Sequence, residues 1–157
     1  AYSAIAHRGT LFEPSLLLND RKPNPVRRVA SEKTIDRLSR MLEGVVERGT
    51  AVTARIPGYR VAGKTGTSRK LDPATKKYSM SSYNASFGGF LPASAPRWTI
   101  LVVIEDPKGQ YYGAQVAAPV FAKIGRQLLA LKGVAADQAS VLASTSLTAA
   151  GRSAAAQ

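Results

Sequence analysis

Gly58-Tyr59-Arg60-Val61-Ala62-Gly63-Lys64-Thr65-Gly66-Thr67-Ser68 (GYRVAGKTGTS) fits two motifs that demand different folds. Gly58, Gly63, Lys64 and Thr65 match G-x-x-x-x-G-K-[ST], the phosphate-binding loop, at every fixed position. Lys64-Thr65-Gly66 is also the K-T-G triad that lies on a cleft-lining strand in serine acyl-transfer sites. A phosphate loop needs a strand before it and a helix whose N-terminus begins at the lysine. The residues after Lys64 include Gly66, Thr67, Ser68 and then Pro73, with no apolar stripe across 66–84. The segment before Gly58 closes on Pro57, and the supposed loop alternates Tyr59, Val61 and Gly63 with Arg60, Ala62 and Lys64, the period of a strand. Leu101–Asp106 (LVVIED) imitates the strand and acid that hold Mg²⁺ in such enzymes, but it reads better as a central strand ending in two solvated acids. The stretch is therefore read as a strand. Small residues at 62, 63 and 66 let a substrate lie along its backbone. Lys64 supplies positive charge, the Thr65 and Thr67 hydroxyls share one face, and backbone N–H groups there are available to an oxyanion.

Working outward, residues 1–8 read as the last turns of a helix stopped by Gly9, and 10–18 as a short extended segment broken by Pro14. Residues 20–30 read as a basic loop. Ser31 opens the clearest helix, with Glu32 and Asp36 near its first turn, an apolar stripe of Ile35, Leu38, Met41, Leu42, Val45 and Val46, and Gly49 at its end. Beyond the motif, 68–82 reads as a polar loop and 83–92 as a glycine-rich strand. Residues 97–107 form an apolar strand buried on both faces, and the short link Pro92-Ala-Ser-Ala-Pro96 makes the two strands antiparallel. Pro119 starts a second helix with Val120, Phe121, Ile124, Leu128 and Leu131 on one side, and Gly133 ends it. The expected architecture is α+β, an antiparallel sheet flanked by helices. Residues 1–133 are one structural unit, and 134–157, mostly Ala, Ser and Thr, read as a disordered tail.

The 157 residues carry a formal charge of +12, are 45% hydrophobic and include no cysteine. Disulfides and thiolate metal sites are excluded, and no run approaches the roughly 18 apolar residues of a membrane span. The charge suits anionic partners. Its densest groups, 20–28 and 68–77, are rich in Pro and polar residues, and no zinc-finger, RNP or basic-zipper pattern accompanies them. His7, the only histidine, sits beside Arg8 at a helix end and reads as structural. The chain begins Ala-Tyr-Ser-Ala-Ile-Ala-His-Arg-Gly, without Met, as though inside a helix; we expect it to be part of a longer protein.

VAGKTGTS followed by YNASFGGFLPASAPRWTILVVIEDPKGQYYGAQVAAPVFAKI resembles the C-terminal part of class B penicillin-binding proteins, most of all the division-type (FtsI-like) peptidoglycan D,D-transpeptidases. The opening AYSAIAHRGTLFEP is similar to the segment after their central active-site region, so the likeness covers about residues 1–133. It implies a β-lactamase/transpeptidase-like fold with a five-stranded antiparallel sheet. It implies an enzyme of septal wall synthesis, on the outer face of the inner membrane and anchored outside this chain. That enzyme would act on peptidoglycan stem peptides, bind β-lactams, associate with other division or wall-synthesis proteins, and use no metal, cofactor or nucleic acid. By the same likeness Lys64 helps proton transfer at the nucleophile and Thr65 and Thr67 bind the substrate carboxylate. Gly66 completes the triad, and the Thr67 N–H is one oxyanion donor. Tyr83, Tyr111 and Tyr112 match the aromatic wall of the cleft, against the alternative of ordinary core or interface tyrosines. The family's S-x-x-K nucleophile motif is absent from these residues, and Ser82-Tyr83-Asn84 fits S-x-N only on the wrong side of K-T-G. The chain alone is therefore expected to be inactive. The rival classes are a P-loop nucleotide-binding module and a basic domain that binds nucleic acid or wall polymer. Within the wider fold, a β-lactamase or penicillin sensor is a further possibility.

Overall fold

Helix α2, Glu32–Arg48, forms where its cap and stripe place it; the computed structural model describes residues 1–16 and 23–138. Ser31 Oγ accepts a hydrogen bond from the Thr34 N–H at 3.2 Å, satisfying one of the helix's orphan donors. Ile35, Leu42 and Val46 are buried. Met41 is 67% exposed, a correction to the stripe, because it sits about 100° round the helix from Leu42. Gly49 ends the helix with its N–H on the Val45 carbonyl at 3.1 Å. A side chain there would collide with the Val45 backbone.

Before α2, the short helix α1 (Tyr2–Ala6) turns at Gly9, φ +88°, into β1, Thr10–Phe12. β1 pairs antiparallel with β2, Pro25–Arg28, inside the stretch read as a basic loop. All of β2 is exposed, so no buried face writes an apolar alternation into it.

The main sheet is β3 (Ala62–Leu71), β4 (Tyr78–Leu91) and β5 (Trp98–Glu105), in that order and antiparallel throughout. The expected loop over 68–82 shrinks to 72–77, since β3 and β4 continue as a hairpin arm. The Asp72 carboxylate closes the turn, accepting from the Ala74 N–H and the Thr75 hydroxyl, both at 2.9 Å. β5 pairs with β4 only as far as Asn84↔Glu105, so the arm projects past the sheet with little to cover it. A strand without a covered face can be polar throughout, which is why periodicity missed it.

β5 also departs from expectation. Trp98, Ile100, Val102 and Ile104 pack on the core, but Leu101 and Val103 are 66% and 51% exposed. Among the described residues only one face of this strand is covered. After β5, the one-turn helix α3 (Gly113–Val116) leads into α4, Ala118–Leu131, with Pro119 in its first turn. The buried face of α4 is Ala118, Phe121, Ala122, Gly125 and Leu129; of the expected side Phe121 is buried and Leu128 half-buried, while Val120, Ile124 and Leu131 are exposed. Small residues make this contact: a Cβ on Gly125 would lie 2.8 Å from Ile56 and 3.0 Å from Leu91. Phe121 meets Phe87 of β4 edge-on, centroids 4.7 Å apart, at the centre of the core.

The described residues after α4, 134–138, run back along the body of the fold. Tyr59 donates to the Val134 carbonyl at 2.6 Å, and the Asp137 carboxylate accepts from the Arg60 N–H at 2.7 Å and from the Ser94 hydroxyl. Residues 139–157 lie outside the described residues.

Candidate active site

Lys64, Thr65, Gly66 and Thr67 lie in the middle of β3, opposite Gly88, Phe87, Ser86 and Ala85 of β4. β3 is an edge strand, so half of its backbone N–H and C=O groups face away from the sheet. The helix that a phosphate loop requires at Lys64 is absent, and the residue lies inside a strand that runs on to Leu71. Glu105 and Asp106, the supposed Mg²⁺ acids, are held by Lys70 at 3.3 and 2.8 Å. The nucleotide-binding reading is therefore rejected.

Lys64 and Thr65 lean on each other: Lys64 Nζ donates to the Thr65 carbonyl at 3.1 Å and to its Oγ1 at 3.2 Å. The same Oγ1 lies 3.3 Å from Thr50 Oγ1, just past the end of α2. Thr67 Oγ1 accepts from the Gly113 N–H at 3.2 Å. The two hydroxyls of the strand are thus fixed from two sides, by Thr50 and by the first residue of α3. A Cβ on Gly66 would stand 2.5 Å from Ser86 Oγ. Gly113 is more constrained still, because a Cβ there would overlap the Ser86 carbonyl oxygen and approach that of Gly66 to 2.7 Å. Backbone from three elements converges at this point, leaving no room for side chains.

The three tyrosines form one cluster. Tyr83 stacks on Tyr111 with centroids 4.4 Å apart and planes 17° from parallel, and Tyr111 lies 4.5 Å from Tyr112. The Tyr111 hydroxyl donates to Tyr112 at 3.2 Å, and chiefly for that reason its pKa is held above the ordinary tyrosine value. Tyr83 pairs with Arg69 across the hairpin, and Tyr112 precedes Gly113. The cluster therefore stands at the Thr67 end of the triad, with Tyr112 exposed. Ser82, by contrast, donates its N–H to Ser79 Oγ at 2.9 Å and, among the described residues, makes no hydrogen bond to the K-T-G triad. His7 is spent locally, its Nδ1 2.8 Å from the Ser3 carbonyl oxygen and its ring 5.0 Å from Phe12.

Sequence reading missed Thr50 and Gly113. Thr50 comes after a helix-ending glycine and carries no motif. Gly113 comes after a tyrosine pair whose place beside β3 is set only by tertiary packing. The arrangement offers a cation, two oriented hydroxyls, an edge of free backbone and an aromatic flank. These are the groups that would hold a peptide carboxylate and a developing oxyanion.

Comparison with known proteins bears on what that arrangement serves. Residues 1–126 match the model of the penicillin binding protein transpeptidase domain. The chain is 41% identical over 126 residues to a probable peptidoglycan D,D-transpeptidase PbpC of Pseudomonas aeruginosa, covering 79% of this chain and 22% of that protein. It is 39% identical over 125 residues to peptidoglycan D,D-transpeptidase FtsI of Escherichia coli K12, covering 78% and 21%. The chain thus spans about a fifth of the length of these curated relatives. Among solved structures, it resembles the transpeptidase domain of Burkholderia pseudomallei penicillin-binding protein 3, with TM-score 0.77 and 38% identity over 88% of this chain and 42% of that one. Penicillin-binding protein 3 of Mycobacterium tuberculosis in complex with ampicillin gives TM-score 0.77 and 30% identity over 88% and 34%. None of these matches supports a nucleic-acid-binding class. With its family model covering most of its length, the chain belongs to the penicillin-binding protein transpeptidase domain family.

Proposed function

We propose that this chain is the C-terminal part of a division-type peptidoglycan D,D-transpeptidase domain and contributes the K-T-G wall of its active site. The observation that carries the reading is the triad on an exposed edge strand, with its hydroxyls held by Thr50 and Gly113 and its far end flanked by stacked tyrosines. In the reaction, a serine hydroxyl attacks the carbonyl between the two terminal D-Ala residues of a stem peptide. The terminal D-Ala leaves, and an amine of a second stem peptide takes the acyl group from the serine. Lys64 supplies positive charge and assists proton transfer. Thr65 and Thr67 bind the terminal carboxylate, as they would that of a β-lactam, and the Thr67 N–H donates to the oxyanion. Tyr83, Tyr111 and Tyr112 line the cleft. The S-x-x-K serine and lysine do not occur among these 157 residues, so acylation requires a partner segment. The setting we assign is the outer face of the inner membrane, among other wall-synthesis proteins, with 1–133 forming the domain part and 134–157 an appendage.

Acylation by a fluorescent penicillin tests this. The 157-residue chain alone should retain no label through denaturing electrophoresis. A chimera joining it to the preceding part of the Burkholderia transpeptidase domain should be labelled, and Lys64→Ala in the chimera should slow labelling at least tenfold. Stable labelling of the chain alone, or equal labelling of both chimeras, overturns the assignment.

A further inference from the structure

Arg60 is the residue through which the chain enters β3, two positions before Ala62. Three groups hold it. Its guanidinium meets Glu43 of α2 at 2.7 Å, its carbonyl accepts from the Ala93 N–H at 2.8 Å, and its own N–H donates to the Asp137 carboxylate at 2.7 Å. The other oxygen of that carboxylate accepts from the Ser94 hydroxyl. Asp137 therefore ties the entry of β3 to the link between β4 and β5.

Asp137 belongs to a short strap. Gly133, φ +56°, turns the chain at the end of α4, and residues 134–138 run back across 58–60. The Val134 carbonyl accepts from the Tyr59 hydroxyl at 2.6 Å. The N–H groups of Asp137 and Gln138 both donate to the Gly58 carbonyl at 3.0 Å, and the Gln138 side chain reaches Glu47 at 3.0 Å. Within the strap Val134 packs on the core, so hydrogen bonds decide where the rest of it sits. These residues lie beyond the stretch 1–126 that the family model matches.

The strand so anchored is weakly specified where it approaches the lysine. Gly63 pairs with Gly89 and Lys64 with Gly88, so no side chains interlock across β3 and β4 there. Close packing demands these glycines: a Cβ on Gly63 would overlap Phe87, and one on Gly89 would overlap the Ala62 carbonyl oxygen. Position along this stretch must then be set from its two ends. Beyond Lys64 the end is fixed, by Thr50 on Thr65 and by Gly113 on Thr67. Before Lys64 it is fixed at Arg60, about 13 Å away at about 3.3 Å per extended residue.

We infer that Asp137 is a positioning residue for Lys64, acting through the entry of β3; this rests on the transpeptidase reading above. Without its carboxylate the Arg60 N–H and the Ser94 hydroxyl lose their shared partner, and 60–64 pivots about the fixed Thr65. The lysine ammonium shifts while the two threonine hydroxyls keep their places. The signature is a slower chemical step with carboxylate binding intact.

Two readouts on one set of variants test this. In the 157-residue chain, residue-by-residue amide exchange in Asp137→Ala should quicken at least tenfold over 60–64, with 65–67 and β5 unmoved. Asp137→Asn keeps an acceptor for Arg60 and a partner for Ser94, and should match the parent. In the penicillin-labelling chimera, Asp137→Ala should slow acylation at saturating penicillin at least fivefold, with the half-saturating concentration within twofold of the parent, and Asp137→Asn should restore the rate. Ser31→Ala removes the α2 cap without touching the strap and should acylate at the parental rate, which separates positioning from lost stability. A uniform rise in exchange, a parental acylation rate in Asp137→Ala, or equal slowing in Ser31→Ala overturns the inference. A parental chimera that takes no label sinks the transpeptidase reading, and the exchange pattern alone then decides whether the strap holds 60–64.

Discussion

Gly113→Ala tests how tightly α3 is pressed onto β3. The added methyl would overlap the Ser86 carbonyl oxygen and stand 2.7 Å from that of Gly66. Both are backbone atoms in paired strands and cannot rotate away. The 111–116 segment must therefore lift, stretching the 3.2 Å bond from the Gly113 N–H to Thr67 Oγ1. Overpacking of this kind costs about 1–3 kcal/mol, and the weakened hydrogen bond about 0.5–1.5 kcal/mol more. Alanine's better helix propensity returns up to about 1 kcal/mol, so the net loss is about 0.5–4.5 kcal/mol, with a middle value of about 2.5 kcal/mol. For a chain of this size that middle value lowers the unfolding temperature by roughly 5–10 °C. The matched control is Gly44→Ala, the same chemical change in the open middle of α2. There it should stabilise by about 0.5–1 kcal/mol. Thermal unfolding followed by circular dichroism reads both, and the near-ultraviolet signal of the adjoining tyrosines should change in Gly113→Ala only. Equal shifts for the two variants, or a Gly113→Ala protein that melts with the parent, would refute the packing argument.

Three further outcomes are expected. The Asp106 carboxyl is held below the usual carboxylate range, first by its hydrogen bond to Lys70, and Lys70 is raised by the same contact and by Glu105. Asp106's share of stability is thus present above its unfolded value of about 3.9 and lost as pH falls through the lower folded value; Lys70's is present below about 10.4 and lost as pH rises through the higher one. Lys70→Met should remove the Lys70 dependence and shift the Asp106 carboxyl titration upward, so an unmoved Asp106 curve counts against the pairing. Asp72→Ala, which deletes the acceptor of the 72–77 turn, should speed amide exchange in 69–80 while leaving α2 and α4 protected; uniform change across the chain would contradict a locally closed arm. Ser31→Ala should cost about 1 kcal/mol by denaturant unfolding through loss of the Thr34 bond, and a cost near zero would mean that water replaces the cap.

What could be read ahead of the structure depended on whether an element has one covered face. α2 buries Ile35, Leu42 and Val46 and displays the opposite strip, so its limits and its cap were readable. β2 and the outer parts of β3 and β4 cover little, so their residues record turn and solvent preferences and no alternation. α4 was readable only in part, for the opposite reason. Phe121 stands out in the sequence, but the buried face also includes Ala118, Ala122 and Gly125, residues that a hydrophobicity pattern discounts because they are small. Small size is what lets α4 approach Ile56 and Leu91, and it is a property of the pair of surfaces, visible only once both are present.

The same distinction governs the site. Lys64–Thr67 were legible because a strand and a phosphate loop place opposite demands on Gly66 and Thr67, and only a strand tolerates the polar, Pro-containing run after them. Thr50 and Gly113 were not, because each acts on a residue more than ten positions away and neither belongs to a spaced motif. Yet these two fix the rotamers on which the triad depends. Thr65 could turn its hydroxyl elsewhere without Thr50, and Thr67 could do so without the Gly113 N–H. The K-T-G letters specify which groups are available at the edge strand; the end of α2 and the start of α3 specify where those groups point. Variants at Thr50 should therefore disturb the carboxylate binding proposed for Thr65 while leaving the triad's sequence intact, with Thr50→Ser retaining labelling and Thr50→Val losing it in the penicillin-labelling chimera. Equal labelling of the serine and valine variants would show that Thr65 orients itself.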